Sequence, residues 1–199
     1  MSKRNYELEP PGAGLPGGER FFLNAAFKTG TAITSAKGAL KLFKREWAEL
    51  NRIADEDDQS YDIFEQKLIP RVMGIEDSSR NWSVLMILEH LCMVNTDILR
   101  IVKALVDEIV PRGELDIALY KPSNQVDFDT INRFIEINSN YVRVIEELIE
   151  RRGNLRTMAR YPHPWFGKID AHQWNCLAGI HQRIHRRQAQ KLVAMLGVT

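Results

Sequence analysis

Apolar residues recur at every third or fourth position through most of this chain, the pattern of a helix face turned toward a core. It is clearest where Ile87, Leu91, Val94, Ile98, Ile101 and Leu105 follow one another. From Val84 to Val94 the one charged residue is Glu89 and the one histidine is His90. A helix so apolar around its circumference is expected to be buried on more than one side. The spacing predicts that it starts near Asn81, capped by Ser78, Ser79 or Asn81, and runs to Val110, before Pro111 and Gly113.

Three further long helices are expected from the same period. The first covers about residues 31–54, with Leu40, Phe43, Trp47 and Leu50 facing inward. A shorter helical piece, 61–68, precedes Pro70, and 71–80 reads as a loop. Another helix covers 129–153, with Ile131, Phe134, Asn138, Tyr141, Ile145 and Leu148 on its seam. A loop with Pro162 and Pro164 leads to the last helix, capped by Asp170 and ending near Leu196. Its seam reads Trp174, Leu177, His181, Ile184, Gln188, Leu192 and Met195. No alternating strand pattern competes, so the expectation is all-α: a four-helix bundle. Long links on either side of the second helix allow a crossover connection.

Residues 1–20 are rich in Pro and Gly and read as a flexible or loosely docked tail, leaving 21–199 as the helical bundle domain. The acidic run Asp55-Glu56-Asp57-Asp58 lacks the glycine and final glutamate of an EF-hand loop and reads as a solvated helix end. Twenty-seven Lys and Arg against 26 Asp and Glu give a net charge of +1, so no global field attracts nucleic acid or anionic lipid. No apolar run is long enough to span a bilayer and no signal-peptide core is visible, so a cytoplasmic protein is expected. Cys92 and Cys176 have no CxxC partner and read as buried free thiols.

The chemistry lies in the histidines. His181 and His185 are four residues apart on one helix, where side chains stand one above the other and can converge on one ion. The seam around them is otherwise apolar, and buried polar groups need partners. His90 poses the same problem in the most apolar stretch of the chain. Each imidazole alone reads as an ordinary hydrogen-bonded histidine; together they favour a site in which His90, His181 and His185 bind one metal ion. His163, between prolines, and His172, in a first helical turn, read as structural or exposed, though His163 could line a site entrance. Asn138 and Gln188 are polar seam residues that either satisfy the core or orient a ligand imidazole. Arg183, Arg186, Arg187 and Lys191 mark a basic outer face, which is either solvated or attracts an acidic cosubstrate.

Two segments carry a family resemblance. Asn81-Trp82-Ser83 through Glu89-His90-Leu91 resembles the second-helix start of the DinB-like superfamily, where a Trp-Ser pair opens the helix and a histidine follows about two turns later. His163-Pro164-Trp165-Phe166-Gly167, then Trp174, then His181-Gln182-Arg183-Ile184-His185 with Gln188, is similar to the end of that domain. The resemblance spans residues 31–196. It implies a four-helix bundle of crossover topology and an open three-histidine site for zinc, nickel or a similar ion, with the ligands at His90, His181 and His185. Iron also suits imidazole ligands.

Glutamine at 182 rules against zincin-type proteolysis, because Gln cannot serve as the general base. The inward glutamates and Glu-x-x-His pairs of a di-iron bundle are missing. Two readings of function stay open. One is a metal-dependent enzyme, of thiol-dependent S-transferase or hydrolase type, acting on a small molecule with a low-molecular-weight thiol as cosubstrate. The other is a helical binding or interaction module whose metal is structural or vestigial. Neither involves nucleic acid or a membrane, and a homodimer is expected because bundles with apolar outer stripes commonly pair.

Overall fold

A computed structural model gives the fold and describes residues 7–55 and 62–197. Among these, five helices and one small hairpin follow in the order α1 (Gly17–Ile33), α2 (Ala36–Ala54), α3 (Val84–Val106), α4 (Asp129–Arg152), β1 (Tyr161–His163), β2 (Gly167–Ile169) and α5 (Ala171–Leu196). The all-α expectation holds, with a fifth helix added.

Helix ends follow local chemistry. Ser35 and Ser83 accept from the backbone of Gly38 and Met86 and open α2 and α3. Asp170 and Gln173 cap α5 reciprocally: the Asp carboxylate accepts from Gln173 N at 2.8 Å, and the Gln carbonyl accepts from Asp170 N at 3.1 Å. Gly153, at φ 75°, ends α4 in a conformation that disfavours other residues.

α2 packs on α5 and α4, and α3 packs on the same two helices. The pairs consecutive in sequence, α2 with α3 and α4 with α5, therefore stand diagonally across the bundle. The α2–α3 link crosses over, as its expected length allows; the other crossing link is α4–α5, whereas the long α3–α4 link joins two packed neighbours. α5 is the central element, buried on several sides. Gly179 lets α2 approach it closely: a Cβ there would lie 3.1 Å from Phe43 N and 3.3 Å from Ala39 O. The core falls into two apolar bodies, one around Phe43, Tyr141 and Trp174, the other around Leu50, Leu91 and Phe134. Asn95, Asn138 and Gln182 interrupt the apolar seams between them.

The boundaries needed correction in four places. The helix expected at 31–54 is broken at Thr34 and Ser35, where Ser35 caps α2 and ends the continuity. α1 begins at Gly17, inside the Pro/Gly-rich stretch, and buries Phe27 and Thr31. Residues before it are docked: Gly12 N and Gly14 N each donate to the Glu76 carboxylate at 3.0 Å. The helix expected at 61–68 does not form over its described residues; Asp62 turns the chain by accepting from Phe64 N at 2.7 Å, which competes with helical pairing. α3 is capped by Ser83, one turn later than the serines expected, and unwinds at Val106, with Glu108 at φ 58°. The hairpin lies in the Pro162–Pro164 loop, too short to show strand alternation. Of the acidic run, Glu56, Asp57 and Asp58 lie outside the described residues.

Candidate metal centre

α3 and α5 pack against each other, which brings His90 to the side of His181 and His185. The Nε2 atom of His181 lies 3.3 Å from that of His90 and 3.1 Å from that of His185. One ligand atom from each of the three rings falls within 4.8 Å of the others. Nitrogens bound tetrahedrally at about 2.0–2.1 Å from one ion are about 3.3–3.4 Å apart, so the two distances from His181 are close to those of ligands to a shared ion, and the group could hold one.

The opposite ring nitrogens fix the protonation pattern. His90 Nδ1 is 2.6 Å from Tyr120 O, and a carbonyl can only accept, so Nδ1 carries the proton. His185 Nδ1 is 2.7 Å from Gln188 Oε1, while Gln188 Nε2 donates to Ser79 O at 2.6 Å. That second bond fixes the amide orientation, so His185 Nδ1 also donates. Both Nε2 lone pairs then face His181 Nε2, which can give a proton to only one of them. His181 Nδ1 is buried and without a partner among the described residues. A cation at the meeting point of the three Nε2 atoms gives every inward lone pair a partner.

Burial disfavours the charged form of all three rings. It pulls His90 down to about 4 and holds His181 and His185 well below the usual histidine value. Neutral imidazole is the ligating form. Trp82 packs on the trio, nearly parallel to His185 at 6.0 Å between ring centres and 5.0 Å from His90.

Two cavities meet the site. A chamber of about 60 Å³ touches all three histidines and is bounded by Trp82 and Tyr120. A larger one, about 320 Å³, reaches His90 and His181 between α1, α3, α5 and the hairpin. His163, in β1, lines it, so it stands inside the site region. His172 is buried and structural, its Nε2 3.1 Å from Thr31 O.

The two seam amides part company. Gln188 holds His185. Asn138 accepts from Asn95 at 2.9 Å and Gln182 at 2.8 Å and donates to Phe134 O at 2.6 Å, a network that joins helices and touches no imidazole.

The basic face of α5 is not simply solvated. Arg183 and Arg186 turn to Glu46 at 3.2 and 2.5 Å, joined by Arg45 at 2.7 Å, and Glu46 is 1% exposed. Lys191 donates to Arg71 O. Glu46 sits one turn from Phe43 and Leu50 on the inner face of α2, the signal that marks it in the sequence. The roles of Tyr120 and Ser79 fall to backbone carbonyls, which no residue pattern announces.

Compared with known proteins, the chain matches no protein-family model, no curated protein and no solved structure.

Proposed function

We propose that His90, His181 and His185 hold one divalent transition-metal ion, zinc or nickel first, and that the chain is a metal-dependent enzyme of transferase or hydrolase type. The observation that carries this reading is the convergence of three neutral imidazoles, with His181 Nε2 3.3 Å from His90 Nε2 and 3.1 Å from His185 Nε2, beside a cavity large enough for a small molecule. The resemblance to the DinB-like superfamily, whose characterised members include thiol-dependent S-transferases, points the same way.

When bound, an ion held by three neutral imidazoles keeps its full charge and an open position and supplies Lewis-acid activation of a thiol, a water or a carbonyl. The chain's own residues do the rest. Tyr120 O and Gln188 Oε1 hold two of the rings in the ligating tautomer. Arg183 borders the larger cavity, but its charge is shared with Glu46, which leaves little for a carboxylate-bearing cosubstrate.

The alternative, a binding module with a structural ion, calls for a fourth protein ligand closing the site. Among the described residues the ligating group comprises three side chains, which supports the open centre. Turnover of thiol cosubstrates with electrophiles, or of ester substrates, by the metal-loaded chain tests the reading. Turnover should vanish on chelation and return with the ion; turnover that survives chelation contradicts it.

A further inference from the structure

The 320 Å³ cavity has a wall that is mostly aliphatic and aromatic, and its charged groups are already engaged. Asp97 accepts from the Tyr120 hydroxyl and pairs with Arg100 at 2.9 Å; Arg183 pairs with Glu46 at 3.2 Å. What the wall retains is one neutral N–H donor. His163 Nδ1 accepts from Trp165 N at 3.1 Å, so the ring proton sits on Nε2. Burial drives this histidine down to about 3, which keeps the ring neutral. Its Nε2–H has no acceptor among the described residues. The Trp174 ring packs against it at 5.4 Å, centre to centre, with its own Nε1–H enclosed. Phe166 stacks on His163 at 4.8 Å and holds the imidazole in place.

A donor that borders an apolar cavity can bond a ligand oxygen, worth about 0.5–1.5 kcal/mol net. In the metal-free chain, burying a carboxylate here would need an unengaged cation, and the wall's one guanidinium is paired. We propose that this cavity binds an uncharged, mainly apolar carbonyl compound, its oxygen accepting from His163 Nε2–H. Calling that ligand the substrate rests on the enzyme reading above; its binding does not require the ion.

The test is an NMR titration of the full chain, metal-free and metal-loaded, with acetophenone, ethylbenzene and benzoate. Ethylbenzene matches the ketone in size without the oxygen, and benzoate adds the charge. Acetophenone should bind the metal-free chain about tenfold more tightly than ethylbenzene, the worth of one recovered hydrogen bond. His163→Phe keeps the ring stack and removes the donor, and should erase that preference. His163→Gln restores an N–H and should recover part of it. Thermal melting confirms that both variants fold. In the metal-free chain, equal binding of ketone and hydrocarbon, tightest binding by benzoate, no binding of any probe, or a preference that survives His163→Phe would overturn the proposal. The oxygen preference without metal-dependent turnover sinks the enzyme reading alone; metal-dependent turnover without the preference sinks this inference alone.

Discussion

Gln188 ties His185 to Ser79: its amide oxygen accepts from His185 Nδ1 at 2.7 Å while its nitrogen donates to Ser79 O at 2.6 Å. One side chain thus sets both the tautomer and the aim of a ligand ring. The backbone carbonyl of Tyr120 does the same for His90.

Gln188→Ala should therefore weaken metal affinity by about 10–100-fold, the usual effect of losing a partner that orients a ligand histidine. Competition against a chromophoric chelator reads this out. Gln188→Glu keeps an acceptor for His185 Nδ1 and should retain more affinity than the alanine variant. Equal affinity in wild type and Gln188→Ala would show that the amide only fills the core.

Glu46 is buried against Arg45, Arg183 and Arg186. Burial alone raises its pKa, but the hydrogen bonds from these arginines outweigh that and hold it below its ordinary 4.5. Its contribution to stability is thus fully present above the unfolded value and is lost as the pH falls through the folded one. Glu46→Gln should cost about 3 kcal/mol near neutrality. The gap to wild type should narrow below about pH 4.5 as Glu46 itself takes up a proton. Denaturant melts across pH 3–7 measure this, and a gap that stays constant or widens in acid contradicts it.

Gly179 separates two opposing expectations. Helix propensity alone favours alanine by about 1 kcal/mol. The added Cβ would stand 3.1 Å from both Leu42 Cγ and Phe43 N, and a backbone neighbour cannot step aside as a side chain can. Gly179→Ala should accordingly destabilise by about 1–3 kcal/mol, because α2 and α5 must move apart. A raised Tm would mean the helix pair has slack.

Cys92 and Cys176 are buried, and burial pushes both thiols up to about 12. Neither should react with an aromatic disulfide reagent in the native chain at pH 7.5, and both should react on unfolding. Rapid labelling of the folded protein would show an accessible thiolate.

How much of this was visible in the sequence follows from where each signal resides. α4 and α5 were legible almost to the residue, because Asp170 and Gly153 are strong caps around clean seams. Both cysteines were legible as buried. The His trio was legible because three imidazoles in apolar settings demand partners. The Thr34–Ser35 break was missed because the apolar period passes through it, although Ser35 is a good cap. α1 was hidden by the Pro and Gly residues at its start. His163 looked structural because a loop pattern cannot show which cavity the loop borders. Glu46 could have been read as a charge on an inner face that must find counter-ions. The hydrogen bonds from His90 and His185 depend on where Tyr120 and Ser79 carbonyls arrive, which is a matter of tertiary packing.

The most direct measurement is elemental analysis of untagged protein, wild type beside His181→Ala, after exposure to equimolar zinc and nickel and removal of loose metal. The account predicts one tightly held ion per wild-type chain and close to none in a folded His181→Ala variant. A folded wild-type chain that retains no ion, or a variant that holds it as firmly, would contradict a centre built by His90, His181 and His185.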